Sequence, residues 1–230
     1  MISRFDHFLL YSNEIEKTFQ LLKNKFSLIT LIPLTNYGYF QSGMFAFKNG
    51  ILEILWYENK TKEEQNSLSK NEFVGFALSS DLNIRNTKRE LEKLKIVSSE
   101  VIEQKIFDAK NEEVVISEIL MLDHFLGDFQ TFFIEYKSDF LSKKFEEQSK
   151  ISPWEIDSFI LETVKPAETL NGFLKLGFND EEDTNVSDSN QIKVKIQKTE
   201  SKNFISSFVI ESKEGKVDIL EVLNDINGFR

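Results

Sequence analysis

Apolar and polar residues alternate from Arg4 to Tyr11 with the two-residue period of a strand, and His7 falls on the face it shares with Phe5, Leu9 and Tyr11. The period then lengthens. Ile15, Phe19, Leu22 and Phe26 recur at helical spacing behind Asn13 and Glu16, which are spaced as a capping box, so a helix is expected there. Short strand segments are predicted around 28–33 and a longer strand over 38–48. Asn49-Gly50 marks a tight hairpin turn, and the return strand runs from Ile51 to Tyr57 with Glu53 on the face of Ile51, Leu55 and Tyr57. The predicted order is βαβββ.

The same order is read twice more. Residues 58–72 have no apolar periodicity and form a polar connector, after which Phe73 to Ser79 is a strand. Asp81 or Asn83 can cap a helix bearing Ile84, Leu91 and Leu94. Strands are expected over 98–106, 113–121 and Thr131 to Tyr136, followed by a second connector over 138–153. The third pass has a strand from Ile156 to Thr163 and a helix that starts at Pro166. That helix carries Leu170, Phe173 and Leu174 on its apolar face and ends at Gly177. An acidic loop over 179–190, strands near 191–197 and 204–211, a Glu214-Gly215 turn and a last strand from Lys216 to Leu223 complete it.

Laying the passes over one another sets His7 against Gly75 and Ser158, and Glu53 against Glu135 and Asp218. Repeated units of this kind cannot bury their apolar faces alone. The chain is therefore divided into a domain of two modules over 1–138 (modules 1–58 and 72–138), a linker over 139–153 and a third, degenerate module over 154–230.

Composition narrows the function classes. With 230 residues, 40% of them hydrophobic and 29% charged, the chain has the make-up of a globular protein, and 22 phenylalanines predict an aromatic core. A net charge of −10 and a pI near 4.9, without a Lys/Arg cluster able to follow a phosphate backbone, argue against nucleic acid and anionic membranes as partners. No apolar run is long enough to span a bilayer. The first residues enter a strand without an apolar segment behind a basic one, so a cytoplasmic location is expected. The absence of cysteine removes disulfides, thiolate nucleophiles and Cys-bound zinc. There is no glycine-rich phosphate loop, Ser-His-Asp order or nucleophile elbow, and the acidic stretch lacks the glycine and glutamate of a calcium loop.

Tandem βαβββ modules, with Asp6-His7-x-x-Leu10 opening the first strand and Gly50-x-Leu52-Glu53-Ile54 in its last, resemble the vicinal oxygen chelate superfamily and its glyoxalase-like domains. Phe132-Phe133-Ile134-Glu135-Tyr136 is similar to that group's second-module signature. The resemblance covers about residues 4–138 and, more weakly, 154–222. It implies an α+β fold in which two modules pair into a cup-shaped, eight-stranded mixed sheet with helices outside, plus a third module. By the same resemblance His7, Glu53 and Glu135 fall on metal-ligand positions, with Glu53 or Glu135 alternating as general base. The fourth ligand position falls on Gly75, or on Phe76 if the alignment slips by one, and neither side chain can bind a metal.

Two function classes follow. One is a lyase, isomerase or dioxygenase of glyoxalase type, in which one divalent ion (Zn, Mn or Fe(II)) chelates a small substrate. The other is a metal-free protein that binds or sequesters a small molecule in the same cup. In that case His7 and Glu53 form a hydrogen-bonded pair in the wall and the aromatic residues hold an organic, cationic ligand. Tyr11, Phe45, Trp56 and Tyr57 are the candidate substrate-binding residues, within an aromatic set that includes Tyr37, Tyr39, Phe40 and Phe47 and that also fits a plain core. His124 reads as a loop histidine. A single third module leaves half a cup with one apolar face, and its pairing across a homodimer is expected to cover that face.

Overall fold

The computed structural model describes residues 1–38, 40–57, 70–107, 112–182 and 185–225. The first module consists of β1 (Ser3–Ser12), α1 (Ile15–Phe26), β2 (Ile29–Asn36), β3 (Phe40–Ala46) and β4 (Ile51–Tyr57). The second consists of β5 (Asn71–Ser80), α2 (Ile84–Lys93), β6 (Ile102–Phe107), β7 (Glu113–Met121) and β8 (Gln130–Tyr136). Together they form the expected eight-stranded mixed sheet, in the order β2-β3-β4-β1-β5-β8-β7-β6. In each module the last strand lies parallel to the first, and the two first strands meet antiparallel at the centre. Tyr39 and most of the 58–72 connector lie outside the described residues.

Local signals act in places where the apolar period does not show them. Helix α1 begins one residue later than the Asn13 capping box implies. No side chain caps it, and the Ser12 hydroxyl accepts the Glu14 N–H at 3.2 Å instead. Asn83 is the residue that caps α2, accepting the Asn86 N–H at 2.9 Å, whereas Asp81 holds the Ile2 N–H. Residues 140–151, inside the expected linker, form a helix, α3 (Phe140–Ile151). Its apolar residues are too few for a helical stripe, but Asp139–Lys143 and Glu146–Lys150 are ion pairs four residues apart that support it.

The remaining residues build a second sheet from β9 (Glu155–Thr163), β10 (Asn179–Glu182), β11 (Asn185–Ser187), β12 (Lys193–Lys198), β13 (Phe204–Ser212) and β14 (Gly215–Asp218), in the order β10-β11-β12-β9-β13-β14. Helices α4 (Pro166–Lys175) and α5 (Ile219–Asp225) complete it. Much of the expected acidic loop is thus strand, and the expected last strand becomes helix after Asp218, whose carboxylate accepts the Leu220 N–H at 2.8 Å. Strand β12 lies parallel to β9 as β4 does to β1, and β13 lies antiparallel to β9 as β5 does to β1. The repeat extends to polar detail. Ser12 bonds Thr18 at 2.9 Å and Thr163 bonds Thr169 at 3.0 Å, with the same offset that relates His7 to Ser158.

The second sheet covers the convex face of the first. Phe5 and Phe8 of β1 each place their ring centroid 5.2 Å from that of Phe159 in β9, Phe8 lies 4.9 Å from Phe208 in β13, and Phe73 of β5 stacks on Phe208 at 4.7 Å. All these rings are buried in one continuous core. The apolar face of the third module is therefore filled within the chain. Its other face mixes Ile160 and Val209 with Ser158, Glu162, Lys195 and Gln197, and Asp157 pairs with Lys216 at 2.8 Å.

Polar contacts lock this docking. The Asn49 amide accepts the Ile156 N–H and donates to the Ile156 carbonyl, both at 2.8 Å, and Asn190 donates to the Asn49 carbonyl at 3.2 Å. A β-carbon on Gly50 would come within 2.9 Å of the Ile156 side chain. Asn49-Gly50 does sit between β3 and β4, but neither residue takes the positive φ of a two-residue turn, and the pair serves as the seat for β9. Buried Asp188 accepts the N–H groups of Phe5, Asn190 and Ile192 at 2.8–3.0 Å, and so binds β1 at a position ahead of its pairing with β4.

Asn49→Ala is expected to cost about 2 kcal/mol by leaving the Ile156 backbone groups unpaired in a buried setting. Amide exchange should rise at Ile156 and over 188–192, with the β3–β4 ladder unchanged.

Candidate functional site

Residues paired across adjacent strands share a face, so His7 beside Ile51 and Leu9 beside Glu53 set these four on the concave side with Tyr11, Leu55 and Tyr57. A bulge between Phe5 and His7 interrupts the alternation and brings Asp6 round beside the imidazole. His7 Nδ1 is 2.8 Å from Asp6 Oδ1, and its Nε2 is 3.5 Å from Glu53 Oε2. The Tyr136 hydroxyl donates to the same Asp6 oxygen at 2.8 Å, and the Phe132 ring stands edge-on to the imidazole at 5.8 Å. His7 is 3% exposed.

Burial alone would push the His7 imidazole down, but the Asp6 hydrogen bond and the charges of Asp6 and Glu53 outweigh it and hold the group above its usual value. Burial, and then the charge and hydrogen bond of Asp6, keep the Tyr136 hydroxyl well above the usual phenol range, so it remains a donor. The result is a row of Asp6, His7 and Glu53 in the wall of an aromatic surface, with the two carboxylates favouring the protonated imidazole. Leu9, Tyr11 and Leu55 are buried there, with Tyr57, Val74 and Phe132 packed against them.

Not every residue expected in the site reaches it. Phe45 points to the convex side and stacks on Phe19 of α1 at 4.3 Å. Trp56, at the rim, packs against both the Leu9, Tyr11 and Leu55 cluster and the main core, and lies near Asn13, Ile15 and Gln41. Glu135 is also on the far face, where it accepts the Ile84 N–H at 2.6 Å at the start of α2 and pairs with Lys137 at 3.2 Å. His124 is exposed in the loop between β7 and β8, with φ 62°.

Strand register shows why the repeat misassigned Glu135. Gly75 pairs with Gln130 and Ala77 with Phe132, just as His7 pairs with Ile51 and Leu9 with Glu53. With His7 laid on Gly75, Phe132 takes the place of Glu53. In the third module Ile160 pairs with Lys195, so that place belongs to Lys195 and not to Asp218. Asp6 and Tyr136 were missed. Asp6 stands next to His7, and Asp157 bonds Ser158 at the repeated position at 2.9 Å; Tyr136 shares the two-residue period of Phe132.

The residues do not fit a chelated divalent ion of the kind the resemblance implies. Asp6 and Glu53 approach opposite edges of one imidazole, so their oxygens do not converge with a free ring nitrogen. Glu135 is on the other face. At Gly75 a β-carbon would collide with the Gln130 backbone oxygen, so no ligating side chain can stand there. Among the described residues no group of three or more His, Asp or Glu is arranged to hold a metal.

No family model matches the chain, and no curated protein does. Among solved structures, a hypothetical protein from Staphylococcus aureus has the same fold over nearly the whole length, with TM-score 0.65, 17% identity, and 95% of this chain and 98% of that one covered. Methylmalonyl-CoA epimerases from Streptomyces coelicolor (a variant in complex with 2-nitronate-propionyl-CoA) and Mycobacterium tuberculosis are more remote. Their TM-scores are 0.44 and 0.45 at 10% and 11% identity, with 60% of this chain covered against 100% and 91% of theirs. These likenesses concern the fold. No helix among the described residues is long and apolar enough to cross a membrane.

Because its partners favour the imidazolium, His7 has a higher pKa folded than unfolded, so its contribution to stability is complete below the unfolded value and fades as pH rises through the folded one. The stability difference between wild type and His7→Gln, read by urea denaturation, is expected to be largest below about pH 6.5 and to shrink above it.

Proposed function

We propose that the concave face binds an organic small molecule without a catalytic metal. The observation that carries this reading is the placement of the ionisable residues: His7 is engaged by Asp6 and Glu53, while Glu135 lies on the opposite face. What the concave face offers a ligand is half-buried Trp56, Tyr57, Val74 and Phe132, packed over buried Leu9, Tyr11 and Leu55, with the Glu53 carboxylate set among them. Two carboxylates, Asp6 and Glu53, against one imidazole leave the row negative in either protonation state of His7, so the wall favours a cation with an apolar body. The lyase, isomerase or dioxygenase reading needs His7, Glu53 and Glu135 on one ion, which this geometry does not supply.

Rhodamine 6G, a cationic aromatic dye, tests the reading by fluorescence polarisation. Its affinity is expected to be unchanged by chelator and to fall by about tenfold or more in Glu53→Gln, the loss of one charge-assisted contact. Metal near one equivalent by plasma mass spectrometry, lost in His7→Ala, together with chelator-sensitive binding, would overturn it.

A further inference from the structure

Helix α3 follows β8 directly and crosses to the β2–β3 edge of the sheet, where its Leu141 and Phe145 pack on Leu31, Ala46 and Ile51. Ile51 is the strand partner of His7 and pairs with Ala46 on β3, so this contact lies on the concave face at the His7 end of the cup. The helix is lightly held. None of its twelve residues is buried, and Phe140 and Ile151 are 62% and 65% exposed. Its ends are fixed more firmly than its middle. At one end the Lys137 N–H bonds the Ile116 carbonyl at 2.8 Å and its ammonium bonds Glu118 at 2.6 Å. At the other, the Trp154 indole donates to the Phe26 carbonyl at 2.7 Å, and the Trp154 carbonyl accepts from the Lys48 N–H at 2.9 Å.

A segment anchored at both ends, whose middle is held by two half-buried apolar side chains, can lift without disturbing either sheet. We propose that α3 is a displaceable strap: Leu141 and Phe145 occupy an apolar seat on the concave face that a ligand's own apolar group takes when it binds. The seat of Leu31, Ala46 and Ile51 adjoins Met44, the strand partner of Glu53, so it is continuous with the polar row. A ligand reaching both would pair an apolar group at the seat with a polar group at Glu53. This inference rests on the reading of the concave face as a ligand surface.

The test uses Nile red, a neutral apolar dye, on the full chain. Leu141→Ala/Phe145→Ala should bind it about tenfold more tightly than wild type, as expected when a competent state of about one part in ten becomes dominant. A cooperative thermal transition should be retained, and adding Met44→Arg should abolish the gain. In unmutated protein, dye binding should speed amide exchange over residues 140–151, a readout that holds even if the double variant unfolds. Equal affinity in wild type and variant, a gain that survives Met44→Arg, or unchanged exchange in α3 would each overturn the strap. If rhodamine 6G still binds in a Glu53-dependent way, the cup reading stands without it; if neither dye binds any form, both fall.

Discussion

The convex face of the eight-stranded sheet is apolar along its centre and has to be covered, and the second sheet provides the cover. Phe5, Phe8, Phe73 and Phe76 come from β1 and β5, and Phe159, Phe173 and Phe208 come from the third module, all within a single buried cluster. Rings at centroid distances near 5 Å and steep tilts gain both apolar burial and edge-to-face attraction. Truncating one such ring in a close-packed core costs about 3–5 kcal/mol, a large fraction of a domain's total stability. Most other features of the chain follow from this docking.

The docking shapes β1, and through β1 the site. Asp188 takes the Phe5 N–H two positions before His7, and the bulge between Phe5 and His7 then turns Asp6 onto the imidazole. One strand thus serves the inter-sheet core with Phe5 and Phe8 and the concave face with His7, Leu9 and Tyr11. Asp188 is itself buried. Its carboxylate is pushed up by burial against the backbone hydrogen bonds and the Arg4 charge that favour ionisation, and three N–H donors satisfy it.

On the concave side the second module does not repeat the polar residues of the first. Gly75 lets the start of β8 approach closely, and Phe132 stands where the first module has Glu53. Glu135 is a helix-end carboxylate, accepting an orphan N–H of α2 where the helix dipole favours negative charge. The cup holds an aromatic wall around the His7 imidazole between two carboxylates, with α3 packed at one end.

The apolar periods of the sequence were enough to determine the βαβββ order of the first two modules and the facing of His7 and Glu53, because strand and helix periods assign faces from local spacing alone, whereas the mixed sheet was what the resemblance implied. Register was beyond them. A last-strand carboxylate occurs in all three repeats, but one step along a strand reverses a side chain's face, so Glu135 and Asp218 counted as equivalents of Glu53 until backbone pairing assigned those places to Phe132 and Lys195. The Asn49-Gly50 signal was legible as a hairpin, yet its side-chain partners, Ile156 and Asn190, are more than 100 residues away. Helix α3 escaped notice because ion pairs and one tertiary contact hold it, without an apolar stripe. The sequence alone determined which residues face together along an unbroken stretch of an element, but not the bulge that parts Phe5 from His7, which the period had set on one face. Only the tertiary structure decided which elements face each other, because that depends on long-range burial and hydrogen bonding that local period does not encode.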